Sequence, residues 1–187
     1  MIFPTLFRSF SSTADPIYNC TVLEAAMATS ADISIFEEAK ISYLGLQETF
    51  VGGSMGTNNP ALYVLHEAKS TFPNQDISCL LSLGTGTKGV IGMGRPSDPT
   101  TMRLIDVLGR IAMDCEATSE NTARYLSKTE VTYFRLSIEQ GEQRTRLTEW
   151  EKLPVVQTHT DQYLTQYDVV RKVDHLVRIL ISSVGML

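Results

Sequence analysis

The sequence has no paired-cysteine motif, no basic cluster and no apolar run of membrane-spanning length, and each absence removes a class of function. Its 187 residues include three cysteines, Cys20, Cys79 and Cys115, far apart and odd in number. That pattern argues against a disulfide framework and reads as reduced core thiols, which points to the cytosol. Lys and Arg total 16 against 21 Asp and Glu, a formal charge of -5. The cations nowhere gather into a stripe able to displace phosphate counterions, so no nucleic-acid partner is expected. No segment approaches the ~20 apolar residues of a transmembrane helix. The stretch from Met1 to Phe10 lacks the apolar run of a secretory signal and is interrupted by Arg8. Any contact with a lipid or membrane surface therefore has to run through apolar groups rather than bulk charge. His66, His159 and His175 show no ligand spacing to one another or to the cysteines. Neither a metal nor a cofactor is expected.

What the chain does have is the composition of an ordinary soluble domain, 43% hydrophobic and 20% charged. A domain of this length can bury roughly 70% of the surface its unfolded chain exposes. No repeat or low-complexity linker divides it, so residues 1–187 read as one unit. Phe3 to Phe10 suits a strand. Thr21-x-x-Glu24 is a capping-box pattern that opens a helix through Val22, Ala25, Ala26 and Ala28. Ile41 to Val51 reads as strand with a turn near Gly45, and the run from Gly52 to Pro60 as a loop. Asn59 and Pro60 suit the cap and first turn of a helix whose apolar face is Ala61, Val64, Leu65, Ala68 and Phe72.

Ile77 to Leu83 is nearly continuously apolar, as in a strand covered on both faces, and Gly84-Thr85-Gly86 stops it. A polar loop from Thr87 to Pro99 leads into one long helix with a buried stripe of Leu104, Val107, Leu108, Ile111, Cys115, Thr122 and Leu126. Val131 to Ile138 alternates like a strand. The last element is an amphipathic helix through Val170, Val173, Leu176, Val177 and Leu180. Helices alternating with short strands predict an α/β protein with a mainly parallel sheet.

The glycine loop after Val51 is the most informative feature. Strand, Gly-rich turn and capped helix is how α/β proteins present functional groups at the carboxyl ends of their strands. By spacing alone it is equally a plain tight turn.

Several segments together resemble the patatin family of lipid acyl hydrolases. Leu6-Phe7-Arg8-Ser9-Phe10, followed by Cys20-Thr21-x-x-Glu24-Ala25-Ala26-x-Ala28-Thr29-Ser30-Ala31, is similar to the stretch ahead of that family's active-site aspartate. Phe50-Val51-Gly52-Gly53-Ser54-Met55-Gly56-Thr57-Asn58-Asn59-Pro60 resembles its aspartate loop and the Asn-Pro helix start. Ser82-Leu83-Gly84-Thr85-Gly86 resembles its Ser-x-Gly-Thr-Gly strand end. The order and spacing hold over about residues 5 to 90.

The resemblance implies the later part of a three-layer α/β/α patatin-like domain, with the family's nucleophile segment absent from residues 1–187. It also implies descent from a phospholipid or neutral-lipid ester hydrolase that uses a Ser–Asp dyad. That chemistry needs a base to activate the serine and preorganised donors for the oxyanion. Here Gly52 stands where the family has its aspartate, and glycine can neither take a proton nor orient a serine. No intact catalytic set is therefore expected, and the chain is expected to be inactive alone.

Two other readings follow from the same residues. One is a non-catalytic module that pairs with a complete homologue or another protein chain through an exposed sheet edge. The other is a live hydrolase, because Gly52-Gly53-Ser54-Met55-Gly56 is itself a literal Gly-x-Ser-x-Gly. Against it, a true elbow starts its helix almost at the serine, whereas Thr57 to Pro60 delay the helix after Ser54.

Asp32 replaces a small residue that precedes proline in the family, and reads as a solvated loop carboxylate rather than a substitute base. Gly84-Thr85-Gly86 lacks the ending of a phosphate-binding loop, and His66-Glu67 lacks the second histidine of a zinc-protease helix. Trp150, with Leu153 and Pro154, reads as packing for a surface helix. The expected location is cytoplasmic, with peripheral membrane contact as a further option.

Overall fold

The capping box folds as read. In the computed structural model, which describes residues 4–10, 18–32, 35–54, 56–86, 100–138, 145 and 148–184, the Thr21 hydroxyl accepts from the Glu24 amide at 3.2 Å. The Thr21 amide in turn donates to the Glu24 carboxylate at 2.7 Å. Together they satisfy N-terminal donors that the helix itself cannot pair. The helix they open is α1, Val22–Ser30. The predicted loop from Thr87 to Pro99 lies outside the described residues.

The chain divides into two compact units, residues 1–58 and 59–187. In the first, β1 (Ala39–Tyr43) and β2 (Leu46–Phe50) form an antiparallel hairpin, with Tyr43 opposite Leu46. The two residues between them, Leu44 and Gly45, both have positive φ, 48° and 82°. That is the signature of a primed turn, whose twist matches the strands it joins. Ala39 and Ile41 point inward and meet Ala28 and Ala31, with Phe7, Tyr18, Cys20 and Phe50 packed around them. Phe7, Tyr18, Phe50 and Tyr43 stack edge to face or tilted, with centroids 4.8–5.6 Å apart. Residues 4–10 are not a strand, contrary to expectation. Phe7 joins the unit through its ring rather than through backbone pairing.

In the second unit, β3 (Cys79–Gly84) and β4 (Thr132–Ser137) run parallel, from Cys79 opposite Thr132 to Gly84 opposite Ser137. Helices α2 (Ala61–Thr71) and α4 (Glu116–Leu126) pack against them, and Ala61, Leu65, Leu80 and Leu126 form the core. Helix α6 (Tyr167–Val184) also packs on β4, where the His175 ring meets Phe134 edge-on. It is preceded by α5 (Leu153–Leu164). The expectation that β3 is covered on both faces fails among the described residues. Leu80 and Ser82 are buried, but Leu81 and Leu83 are 42% and 71% exposed.

The long helix expected from Leu104 to Leu126 is two helices, α3 (Thr100–Ala112) and α4, broken at Met113–Cys115. Asp114 supplies the reason, because its carboxylate accepts from the Glu116 amide at 2.9 Å and starts a new helix. Leu104, Leu108 and Ile111, read as buried, are more than half exposed, as is Trp150. The architecture is mixed α/β with a small parallel sheet. The described strands form two separate two-stranded sheets, the antiparallel hairpin of the first unit and the parallel pair of the second, so the expected parallel sheet is small and is joined by an antiparallel one. No helix among the described residues is long and apolar enough to cross a membrane.

Candidate functional site

Two glycine-bearing turns carry the candidate chemistry, one in each unit. In the first, Gly52 follows β2 and is buried, and its amide donates to the Ala31 carbonyl at 2.8 Å. A Cβ placed on Gly52 would lie 3.0 Å from the Thr29 carbonyl oxygen and 3.2 Å from the Ala31 carbonyl carbon. Both obstacles are backbone, which yields far less readily than the end of a side chain. The position expected to correspond to an aspartate thus has no room for a side chain without a shift of the segment ending α1.

Ser54 follows in a turn closed by the Thr57 amide on the Gly53 carbonyl at 3.0 Å, with Gly56 at φ 96°. It is half-buried, and the next helix, α2, begins only at Ala61. No helix N-terminus is therefore presented immediately after Ser54, as an elbow requires. The first unit contains no histidine, since the three lie at 66, 159 and 175. Asp32 turns its backbone into a tight bend, its carbonyl accepting from the amides of Ile35 and Phe36 at 2.9 and 2.8 Å.

The second unit carries a polar network that was not anticipated as a site. Asn59 is buried beside Pro60, and its Oδ1 accepts from the Ala61 amide at 3.3 Å and from the Ser82 hydroxyl at 3.0 Å. Its amide nitrogen donates to the Tyr133 hydroxyl at 3.4 Å, which lies 3.2 Å from the Ser119 hydroxyl. Arg135 on β4 lies across the sheet end. Its guanidinium donates to the Ser82 hydroxyl at 2.9 Å, to the Cys115 sulfur at 3.1 Å and to the Glu116 carboxylate at 3.1 Å.

Gly84 makes this crossing possible. A Cβ there would come within 2.5 Å of the guanidinium and 2.6 Å of the Ser137 hydroxyl. Arg135 Nε and Ser137 Oγ are buried without a partner among the described residues. Gly84-Thr85-Gly86 therefore ends β3 under an arginine, and Gly86 turns the chain at φ 122°.

The chemistry open to this network is limited. The Ser82 hydroxyl donates to Asn59 and accepts from Arg135, so its proton is already committed and neither partner is a base. Burial pushes the Cys115 thiol up from its ordinary value, while the Arg135 charge pulls it back and Glu116 adds to the rise. A thiol held up is a poor nucleophile. The network ties α2, α4, β3 and β4 together through one cation rather than assembling a reaction centre.

His66 lies on α2 and His159 on α5, and His175 packs against Phe134. The described residues contain no cluster of three or more His, Cys, Asp or Glu able to hold a metal. Two signals for the network were present in the sequence, a serine inside the apolar run of β3 and an arginine between the apolar alternate positions of β4. No protein-family model, curated protein or solved structure matches the chain.

Proposed function

We propose that the chain is a relative of patatin-like lipid acyl hydrolases that does not hydrolyse esters by itself. The observation that carries this reading is Gly52. It sits after β2 in the loop that resembles the family's aspartate loop, it bears no proton acceptor, and a side chain there would press on the Thr29 and Ala31 backbone at 3.0–3.3 Å. Dyad chemistry without the base leaves a serine hydroxyl unactivated. Ser54, in the only Gly-x-Ser-x-Gly of these 187 residues, lies in a turn remote in sequence from a helix start. Ancestry in phospholipid or neutral-lipid ester hydrolysis rests on the run of motifs from Leu6 to Gly86, and the retained Asn59-Pro60 helix start supports it.

The test is labelling of the purified chain with a fluorophosphonate probe, beside turnover of a short-chain ester. The expected result is no labelling and no turnover above the uncatalysed rate. Labelling that disappears in Ser54→Ala would overturn the proposal and establish Ser54 as a nucleophile.

A further inference from the structure

The tip of the β1–β2 hairpin carries strain that packing does not offset. Among the described residues Leu44 is the only non-glycine with positive φ, at 48°. A leucine held there crowds its Cβ against the following carbonyl oxygen, and asparagine or glycine suits such a turn better. Leu44 is nevertheless 84% exposed, and Leu46 across the turn is 70% exposed. Residues 35–54 are described without interruption, and neither leucine belongs to the core of this unit. Strain kept at an exposed apolar side chain points to a contact made outside the chain. Nothing from Ser42 to Gln47 is charged. The nearest charges along the strands are Lys40 and Glu48, and the Glu48 carboxylate is held by the Tyr18 hydroxyl at 2.7 Å. Next to the turn Tyr43 packs on Tyr18, with ring centroids 4.8 Å apart. A tyrosine has an apolar body and a polar tip, which suits the boundary between hydrocarbon and water.

We propose that the Leu44–Leu46 tip dips into the surface of a phospholipid bilayer, with Tyr43 at the level of the headgroups. A protein partner fits the tip poorly. A stable protein interface covers roughly 800 Å² on each side, and two leucines on a two-residue turn offer far less. A bilayer requires no complementary surface, only apolar side chains on an uncharged projection. The formal charge of -5 gives the chain no bulk attraction to anionic headgroups, so the surface is one of zwitterionic lipid. Insertion of two side chains is shallow and reversible. This inference does not depend on the hydrolase ancestry proposed above.

The experiment floats the whole chain with phosphatidylcholine vesicles through a density gradient. A floating fraction that rises with lipid concentration is expected, and it should persist at about 0.5 M salt, because an apolar contact is not screened. Leu44→Asn should lower the partition coefficient about tenfold, and Leu44→Asn with Leu46→Asn about a hundredfold. Leu44→Asn also relieves the turn, so urea unfolding should find it at least as stable as the wild type, which separates loss of lipid binding from loss of fold. Leu23→Asn, which removes a leucine 68% exposed on α1, should leave flotation unchanged. The proposal is overturned if the wild type does not float, if salt abolishes flotation, or if the double variant floats as well as the wild type. It is equally overturned if Leu23→Asn loses as much as Leu44→Asn, which is general stickiness of exposed leucines. Size-exclusion chromatography adds one more arm: a dimer that Leu44→Asn converts to a monomer would make a second copy the occupant, and the proposal falls.

Discussion

Gly52 and Gly84 both end a strand and both are glycine because something occupies the space of a side chain, but the occupants differ in kind. At Gly52 the obstacle is main chain, the end of α1 at Thr29 and Ala31. At Gly84 it is the tip of Arg135 and the Ser137 hydroxyl. The first turn is closed by the fold of its own unit and holds no functional group. The second is closed by a charged side chain that three partners hold in place. The loop after β2 is thus held by main-chain packing. A strand end with no evident chemistry has become the polar centre of its unit.

The largest expected effect falls on the second turn. Arg135→Met strips the partner from Glu116 and leaves Ser82 with one bond fewer in a buried site. We expect a loss of about 2–3 kcal/mol in urea unfolding, moderated because Glu116 is partly solvated. Gly84→Ala displaces the same guanidinium, so the two substitutions should be strongly non-additive, with a coupling of about 1 kcal/mol in a double-mutant cycle. Additive losses would show that Arg135 does not lie across Gly84.

Gly52→Ala should cost about 1–2 kcal/mol by forcing backbone apart. Gly52→Asp should cost at least as much and produce no ester turnover. An aspartate tolerated at wild-type stability would mean that the loop is open after all, and would erase the contrast between the two turns.

A smaller effect depends on pH. The Tyr18 hydroxyl donates to Glu48 at 2.7 Å. That bond, with burial and the neighbouring charges of Glu48 and Tyr43, pushes its pKa up to about 12 from the ordinary 10.0. A raised folded value means that the contribution is whole below about pH 10 and is lost as pH climbs through 12. Tyrosinate absorbance should therefore show one late-titrating tyrosine, absent in Tyr18→Phe and returned toward 10 in Glu48→Gln. The smallest effect belongs to the helix cap, where the bonds from Thr21 lower the Glu24 pKa. Its support is present above the ordinary carboxylate range and fades as pH falls through the lowered value. Thr21→Ala should cause a slight fall in the midpoint of unfolding near neutrality, and the difference should vanish in acid.

Local rules were the legible part. The Thr21–Glu24 box, the turn at Gly45, the start of α2 directly after Asn59-Pro60 and the strand at β4 depend on neighbours within a few residues and were readable in order, whereas the burial of β4 does not alternate as expected, its buried residues being Phe134 and Ser137. The misread features depend on partners far away in sequence. Residues 4–10 have strand-like composition, yet Phe7 is placed by Tyr18 and Phe50. One helix became two because Asp114 competes for the Glu116 amide, a preference that the apolar stripe running through both helices masked. The Arg135 network joins residues 59, 82, 115, 116 and 135, and no spacing rule links them. A serine within the apolar run of β3 and an arginine within β4 were the only traces it left.

The hairpin turn has a consequence for how the first unit folds. Leu44 occupies a left-handed conformation that asparagine or glycine adopts at less cost, about 1 kcal/mol or more less than a leucine. The rings of Phe7 and Tyr18, distant along the chain, pack on Phe50 of the hairpin, and reliance on such distant contacts favours slow closure. Leu44→Asn would let the turn lead, and refolding of this unit should then accelerate more than its unfolding slows.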